Sequence, residues 1–155
     1  MDKLFECKRV KKVGLITKRN IGEQKALLRK IVKYLEGKNK KVVFDENSAK
    51  ALGEKGGLKK EQLLLKCDMA IALGGDGTIL KIARRHPRQH TPILGVNMGT
   101  LGFMSETTKE KMFEVLDRTF KNQCRLDKRT ILRVTLYRDG KKHATYLALN
   151  DAVIN

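Results

Sequence analysis

The stretch MAIALGGDGTIL, residues 69–80, decides the fold. Its first half, Met69 to Leu73, is a continuous apolar run flanked by Asp68 and by glycines. A half-exposed strand alternates polar and apolar residues, whereas a short unbroken run of this kind fits a parallel strand covered on both faces. Glycines at 74, 75 and 77 then break the run, and Thr78–Arg85 reads as the helix that follows. Strand, glycine turn and helix make the opening of a βαβ unit, and ligands of such units collect at the carboxyl ends of the strands.

On either side the same alternation continues. Lys12–Thr17 (KVGLIT) is a short β-rich run and a first strand. Asn20 with Glu23 resembles a capping box, and Leu27, Leu28, Ile31, Val32 and Leu35 repeat at helical spacing to about residue 36, where Gly37 stops them. Lys41–Asp45 (KVVFD) is a second strand, and residues 48–66 read as helical with an interruption near Gly56-Gly57. Pro92–Val96 (PILGV) is a further buried strand. Thr107 and Glu110 are expected to cap a helix whose apolar face is Met112, Phe113, Leu116 and Phe120. Strand and helix thus alternate four times, which predicts an α/β fold with a parallel, Rossmann-like sheet. Right-handed crossovers put the loops after the strands on one edge of it.

The pattern changes after about residue 123. Arg129–Tyr137 alternates, Asp139-Gly140 is a hairpin turn signal, and His143–Leu149 alternates again. This predicts two domains: an α/β catalytic-loop domain over 1–123, and over 124–155 the first hairpin of an incomplete all-β domain.

The chain has 155 residues and a net charge of +17, which raises a nucleic-acid partner first. The distribution argues against it. Residues 1–41 hold a net charge of +10, whereas residues 42–80, around the glycine loop, hold −1. Aromatic residues make up only 5% and there is no Trp, so a stacking platform for single strands is not expected. A lysine-rich, solvated surface that also attracts anionic nucleotides is the simpler account. Cys7, Cys67 and Cys124 are odd in number and far apart, so they are read as reduced and neither paired nor zinc-bound. His86, His90 and His143 lack metal spacing and are read as surface residues. No long apolar run predicts a membrane span, the N-terminus makes a poor signal peptide, and a cytoplasmic protein is expected.

Three constellations carry the chemistry. In Gly74-Gly75-Asp76-Gly77 the glycines are expected to give a tight turn with positive φ and to let phosphate oxygens approach backbone N–H groups at a helix N-terminus. An acid there would repel phosphate unless it had a task, and two are natural: accepting a proton from a hydroxyl nucleophile, or organising Mg²⁺. An ordinary turn with an Asp cap is the plain alternative. The second constellation, Gly95 to Phe103, again follows a buried strand and contains Asn97. It is expected on the same sheet edge, making with the first loop a crevice lined by backbone; Phe103 either packs under a base or closes the core, with the core favoured. The third is Asn150-Asp151 inside an apolar run, a polar pair that needs partners or ends a hairpin. Neither a Walker A string nor Gly-x-Gly-x-x-Gly occurs, which disfavours a P-loop NTPase and a standard dinucleotide fingerprint.

Taken in order, LGGDGTIL at 73–80, PILGVNMGTLGFMSE at 92–106 and LNDAVIN at 149–155 resemble the NAD kinases. Gly-Gly-Asp-Gly alone is shared with lipid kinases and phosphofructokinases; the three together are specific. The resemblance implies transfer of the ATP γ-phosphoryl group to the 2′-hydroxyl of the adenosine ribose of NAD, giving NADP, with Mg²⁺ or another divalent cation and, in some members, polyphosphate as donor. It implies that Asp76 accepts the proton. It also implies that Gly77, Lys81, Phe103, Asn150 and Asp151 contact the dinucleotide, with Gly74, Gly75 and Asn97 in the same glycine-lined pocket. Family members continue into a full β domain and form dimers or tetramers, so this chain is expected to be a fragment with an incomplete site. A basic nucleic-acid-binding module and another Gly-Gly-Asp-Gly kinase acting on a lipid or sugar are the rival readings.

Overall fold

The computed structural model describes residues 10–18, 24–85, 91–99, 102–105 and 107–153. Five strands, β1 (Lys12–Thr17), β2 (Lys41–Phe44), β3 (Met69–Gly74), β4 (Ile93–Asn97) and β5 (Thr107–Thr108), form a parallel sheet in the order β2-β1-β3-β4-β5. Five helices accompany it: α1 (Lys25–Gly37), α2 (Glu46–Leu52), α3 (Lys60–Lys66), α4 (Asp76–Ala83) and α5 (Met112–Phe120). A separate antiparallel hairpin, β6 (Ile131–Arg138) with β7 (Lys141–Leu149), follows. This is the expected Rossmann-like α/β sheet with a hairpin after it.

All six residues of β3 are buried, as the unbroken apolar run requires of a strand covered on both faces. Its two faces still differ. Met69, Ile71 and Leu73 join Val13 and Leu15 in a cluster closed by Leu28, Ile31 and Leu35 of α1 and Met112 and Leu116 of α5. Ala70 and Ala72 point the other way, with Ile16, against Leu63 and Leu64 of α3 and Ile82 of α4. Small residues on that face let the helices come close: a Cβ on Gly14 would lie 2.4 Å from Leu63 Cδ2.

Some boundaries differ from expectation. The span 48–66 is two helices, because Gly53 takes a left-handed φ of 80° at the end of α2 and Gly56 another of 82°. Asp45 leaves the strand to cap α2, accepting a hydrogen bond from Ser48 N at 2.8 Å. Thr107 and Glu110 do not cap a helix. Thr107 and Thr108 pair with Val96 and Asn97 as β5, and α5 begins at Met112 without a side-chain cap. Two β-branched residues beside an open strand edge were better suited to pairing than to capping. The Asn20–Glu23 capping box lies outside the described residues. Asp139 and Gly140 have φ of 48° and 74°, the two positive values that a type I′ hairpin turn demands.

The strand order switches between β1 and β3: β1 connects outward to β2 on one side, and β3 outward to β4 on the other. In open α/β sheets the crevice at such a switch, past the carboxyl ends of the strands, receives the ligand. No helix among the described residues is long and apolar enough to cross a membrane.

Candidate active site

Gly74 ends β3 and Asp76 begins α4, with only Gly75 between them. The connection is shorter than the sequence suggested, since the helix opens at Asp76 rather than near Thr78. It also needs no positive φ: Gly75 is extended at φ −106°, ψ −168°, and among the described glycines only 53, 56 and 140 have positive φ. Glycine serves here by lacking a side chain. At Gly74 a Cβ would sit 2.2 Å from Thr78 Oγ1, so the tight strand-to-helix step excludes one. At Gly75 and Gly77 a Cβ would meet nothing within 4 Å. Both glycines are exposed beside the first-turn N–H groups of α4, an open and positively polarised helix end.

The second loop leaves the neighbouring strand. Gly74 and Asn97 are register partners in β3 and β4, and Met98 N donates to Gly74 O at 3.3 Å, so the two loops emerge side by side. The second then folds back over the first. Asp76 Oδ2 accepts from Phe103 N at 2.9 Å, and Oδ1 accepts from Met104 N at 3.2 Å and from Ser105 Oγ at 3.0 Å. Gly102 permits this approach, because a Cβ there would lie 2.3 Å from Asp76 Oδ1. Burial works against the Asp76 charge, but the donors from Met104, Ser105 and Phe103 outweigh it and hold the carboxyl below its ordinary range. It is therefore ionised at neutral pH. A carboxylate has about four lone-pair sites; among the described residues Oδ1 has two close donors and Oδ2 one, so Oδ2 is the less occupied oxygen.

The other expected residues are placed less closely. Asn97 is buried at the end of β4, its Oδ1 accepting from Gly99 N at 2.8 Å. Phe103 is 93% exposed, so it does not close the core. Lys81 is exposed on α4, about 140° around the helix from Asp76. Asn150 and Asp151 are exposed at the end of β7, where Asn150 takes a φ of 67° and its N–H donates to Thr130 O at 2.8 Å. Among the described residues neither side chain hydrogen-bonds to the Asp76 loop, although β7 packs against α4. Ser105 and Gly102 were not foreseen as site residues. Their string was visible, but its fold back onto Asp76 was not. Among the described residues Cys67 and Cys124 form no disulfide; burial pushes the Cys67 thiol up to about 11. Among the described residues no group of three His, Cys, Asp or Glu side chains could hold a metal ion.

Comparisons with known proteins bear on the family and the fold. The family model described as the ATP-NAD kinase N-terminal domain matches residues 13–124. The chain is similar to the NAD kinase of Solibacter usitatus, 32% identical over 145 residues, covering 94% of this chain and 50% of that protein. It is also similar to that of Caldanaerobacter subterraneus subsp. tengcongensis, 36% identical over 146 residues and covering 94% and 52%. The chain thus spans about half the length of the curated relatives it matches. Its fold is like that in the crystal structure of yeast NADH kinase complexed with NADH, with a TM-score of 0.71 at 18% identity over 90% of this chain and 46% of that one.

Proposed function

The chain belongs to the NAD kinase family, and from that membership we propose that it supplies the catalytic loop of an enzyme phosphorylating the 2′-hydroxyl of the adenosine ribose of NAD. The observation that carries the reading is Asp76, an ionised carboxylate at a glycine-bared helix end whose Oδ2 has a single close donor among the described residues. In the proposed step a bond forms between the ribose 2′-oxygen and the γ-phosphorus of ATP, and the bond from that phosphorus to the β–γ bridging oxygen breaks. ADP leaves, and the hydroxyl proton passes to Asp76 Oδ2. Phosphoryl transfer is driven mostly by positioning and charge stabilisation, which the open N–H groups at Gly75 and Gly77 suit. Lys81, Phe103, Asn150 and Asp151 are assigned to the dinucleotide by the family pattern, with Asn97 in the pocket wall. The exposed ring of Phe103 is free to stack on a base. The described residues do not by themselves build a site for a divalent cation. Such an ion screens phosphate charge when it is bound, and it is expected to be held largely by the phosphates of the donor. The proposal extends to a homo-oligomer, as the resemblance implies, and to the cytoplasm, as the sequence reading suggests.

The test is NADP formation from NAD, ATP and Mg²⁺ by the chain extended to the length of its relatives, with Asp76→Asn beside it. We expect turnover by the former and a loss of 10²-fold or more in the variant, the usual order for a general base. No NADP from the extended chain would sink the kinase reading; an Asp76→Asn enzyme with undiminished turnover would sink only the role of the base.

A further inference from the structure

Two enclosed polar side chains lie behind Asp76: Ser105, which has no role above, and Asn97, so far only part of the pocket wall. Ser105 is 0% exposed and Asn97 is 4% exposed. Buried polar groups need partners, and here three hydrogen bonds set the direction of a relay. Gly99 N can only donate, so the Asn97 oxygen facing it is Oδ1 and the amide nitrogen faces Ser105, at 3.2 Å from its Oγ. That nitrogen can only donate, so the Ser105 oxygen accepts there. Its single hydrogen is left for Asp76 Oδ1, at 3.0 Å. The polarity is thus one-way: Gly99 N–H to Asn97, Asn97 to Ser105, Ser105 to Asp76.

We propose that Ser105, oriented by Asn97, is a positioning residue that occupies Oδ1 of Asp76 and so selects Oδ2 as the oxygen presented to the reacting hydroxyl. The inference rests on the reading of Asp76 as proton acceptor. Among the described residues Met104 N and Ser105 Oγ both donate to Oδ1, whereas Phe103 N is the one close donor to Oδ2. Without the Ser105 hydroxyl each oxygen would keep one close donor from Phe103 or Met104, and the carboxylate could settle with either one forward. The groups facing it are those loop donors; on its own helix the next charged side chain is Lys81, which is exposed.

Two measurements test the proposal. In this 155-residue chain, the ¹³C titration of the Asp76 carboxyl is followed in wild type, Ser105→Ala and Ser105→Thr. Loss of a donor to the ionised form raises its pKa, so the midpoint moves to higher pH in Ser105→Ala and returns in Ser105→Thr. In the extended enzyme, Ser105→Ala lowers kcat about tenfold, the scale of a small misplacement of a reacting group. KM for NAD stays close to wild type, and the acid limb of the kcat/KM profile shifts upward with the midpoint. Ser105→Thr restores both. A Ser105→Ala variant that loses stability yet keeps its titration and pH profile overturns the proposal, since the serine would then merely pin the loop. Failure of the underlying reading looks different: Asp76→Asn stays fully active, while the titration shift in Ser105→Ala persists and upholds the hydrogen-bond relay.

Discussion

A carboxylate that already accepts three hydrogen bonds is a weak base, and Asp76 is such a carboxylate. In the proposed role it would therefore act through its position and through being charged at neutral pH rather than through basicity. The same contacts couple Asp76 to stability. Its folded pKa is depressed below the 3.8 of the free side chain, so the stability it contributes is present above that value and is lost as pH falls through the folded one. We therefore expect the stability difference between wild type and Asp76→Asn, measured by urea unfolding, to be constant from pH 7 down to about 5. It should shrink below about 4, near the carboxylate's unperturbed value. A difference that grows toward low pH would contradict the observed hydrogen bonds. The position of Asp76 was legible in the sequence, because a buried strand running into glycines fixes where the next residue emerges. Its partners were not, since Phe103, Met104 and Ser105 reach it only through the path of a loop 27 to 29 residues away. Phe103 shows the same limit: an aromatic near an apolar string reads as core, yet here its backbone is bonded and its ring faces outward.

At the scale of elements, legibility follows burial. The strands β1, β3 and β4 were readable because two covered faces leave an apolar run that few other structures tolerate. The β5 strand was not, because a two-residue strand has no period. The junction of β2, α2 and α3 is a different case, held by one charge. Asp45 is wholly buried, accepts from Ser48 N at 2.8 Å and Ser48 Oγ at 2.6 Å, and pairs with Lys60 Nζ of α3 at 2.5 Å. Ser48 Oγ also lies 2.9 Å from Leu15 O, the alternative acceptor for its single hydrogen, which places α2 against β1. Removing one partner of a buried pair leaves the other uncompensated. Asp45→Ala should therefore cost about 3 kcal/mol in denaturant unfolding. Asp45→Asn retains the helix cap and should cost less, since asparagine caps as well as aspartate. Equal losses would mean that the cap contributes nothing and the charge pair accounts for the whole effect.

Across the whole molecule, cohesion is uneven. The sheet encloses two apolar layers that share β1 and β3, whereas β6 and β7 pair only with each other, and residues 123–130 before them form no regular element. Leu136, Tyr137 and Tyr146 on the hairpin remain exposed. An isolated two-stranded hairpin is marginal in water, so this one depends on the side of α4 that β7 touches. The same contrast supports the proposed division at residue 123, with the charged, lysine-rich first part able to hold its own core. In native-state hydrogen exchange, amides of β1 and β3 should open only with global unfolding, and those of β6 and β7 at least about tenfold faster, as expected of a unit with few buried contacts. A chain ending at Gln123 should keep the slow exchange of β3. Hairpin amides as slow as those of β3, or loss of β3 protection on removing residues 124–155, would instead make the two parts one cooperative unit, with the support that α4 receives from β7 essential to the fold.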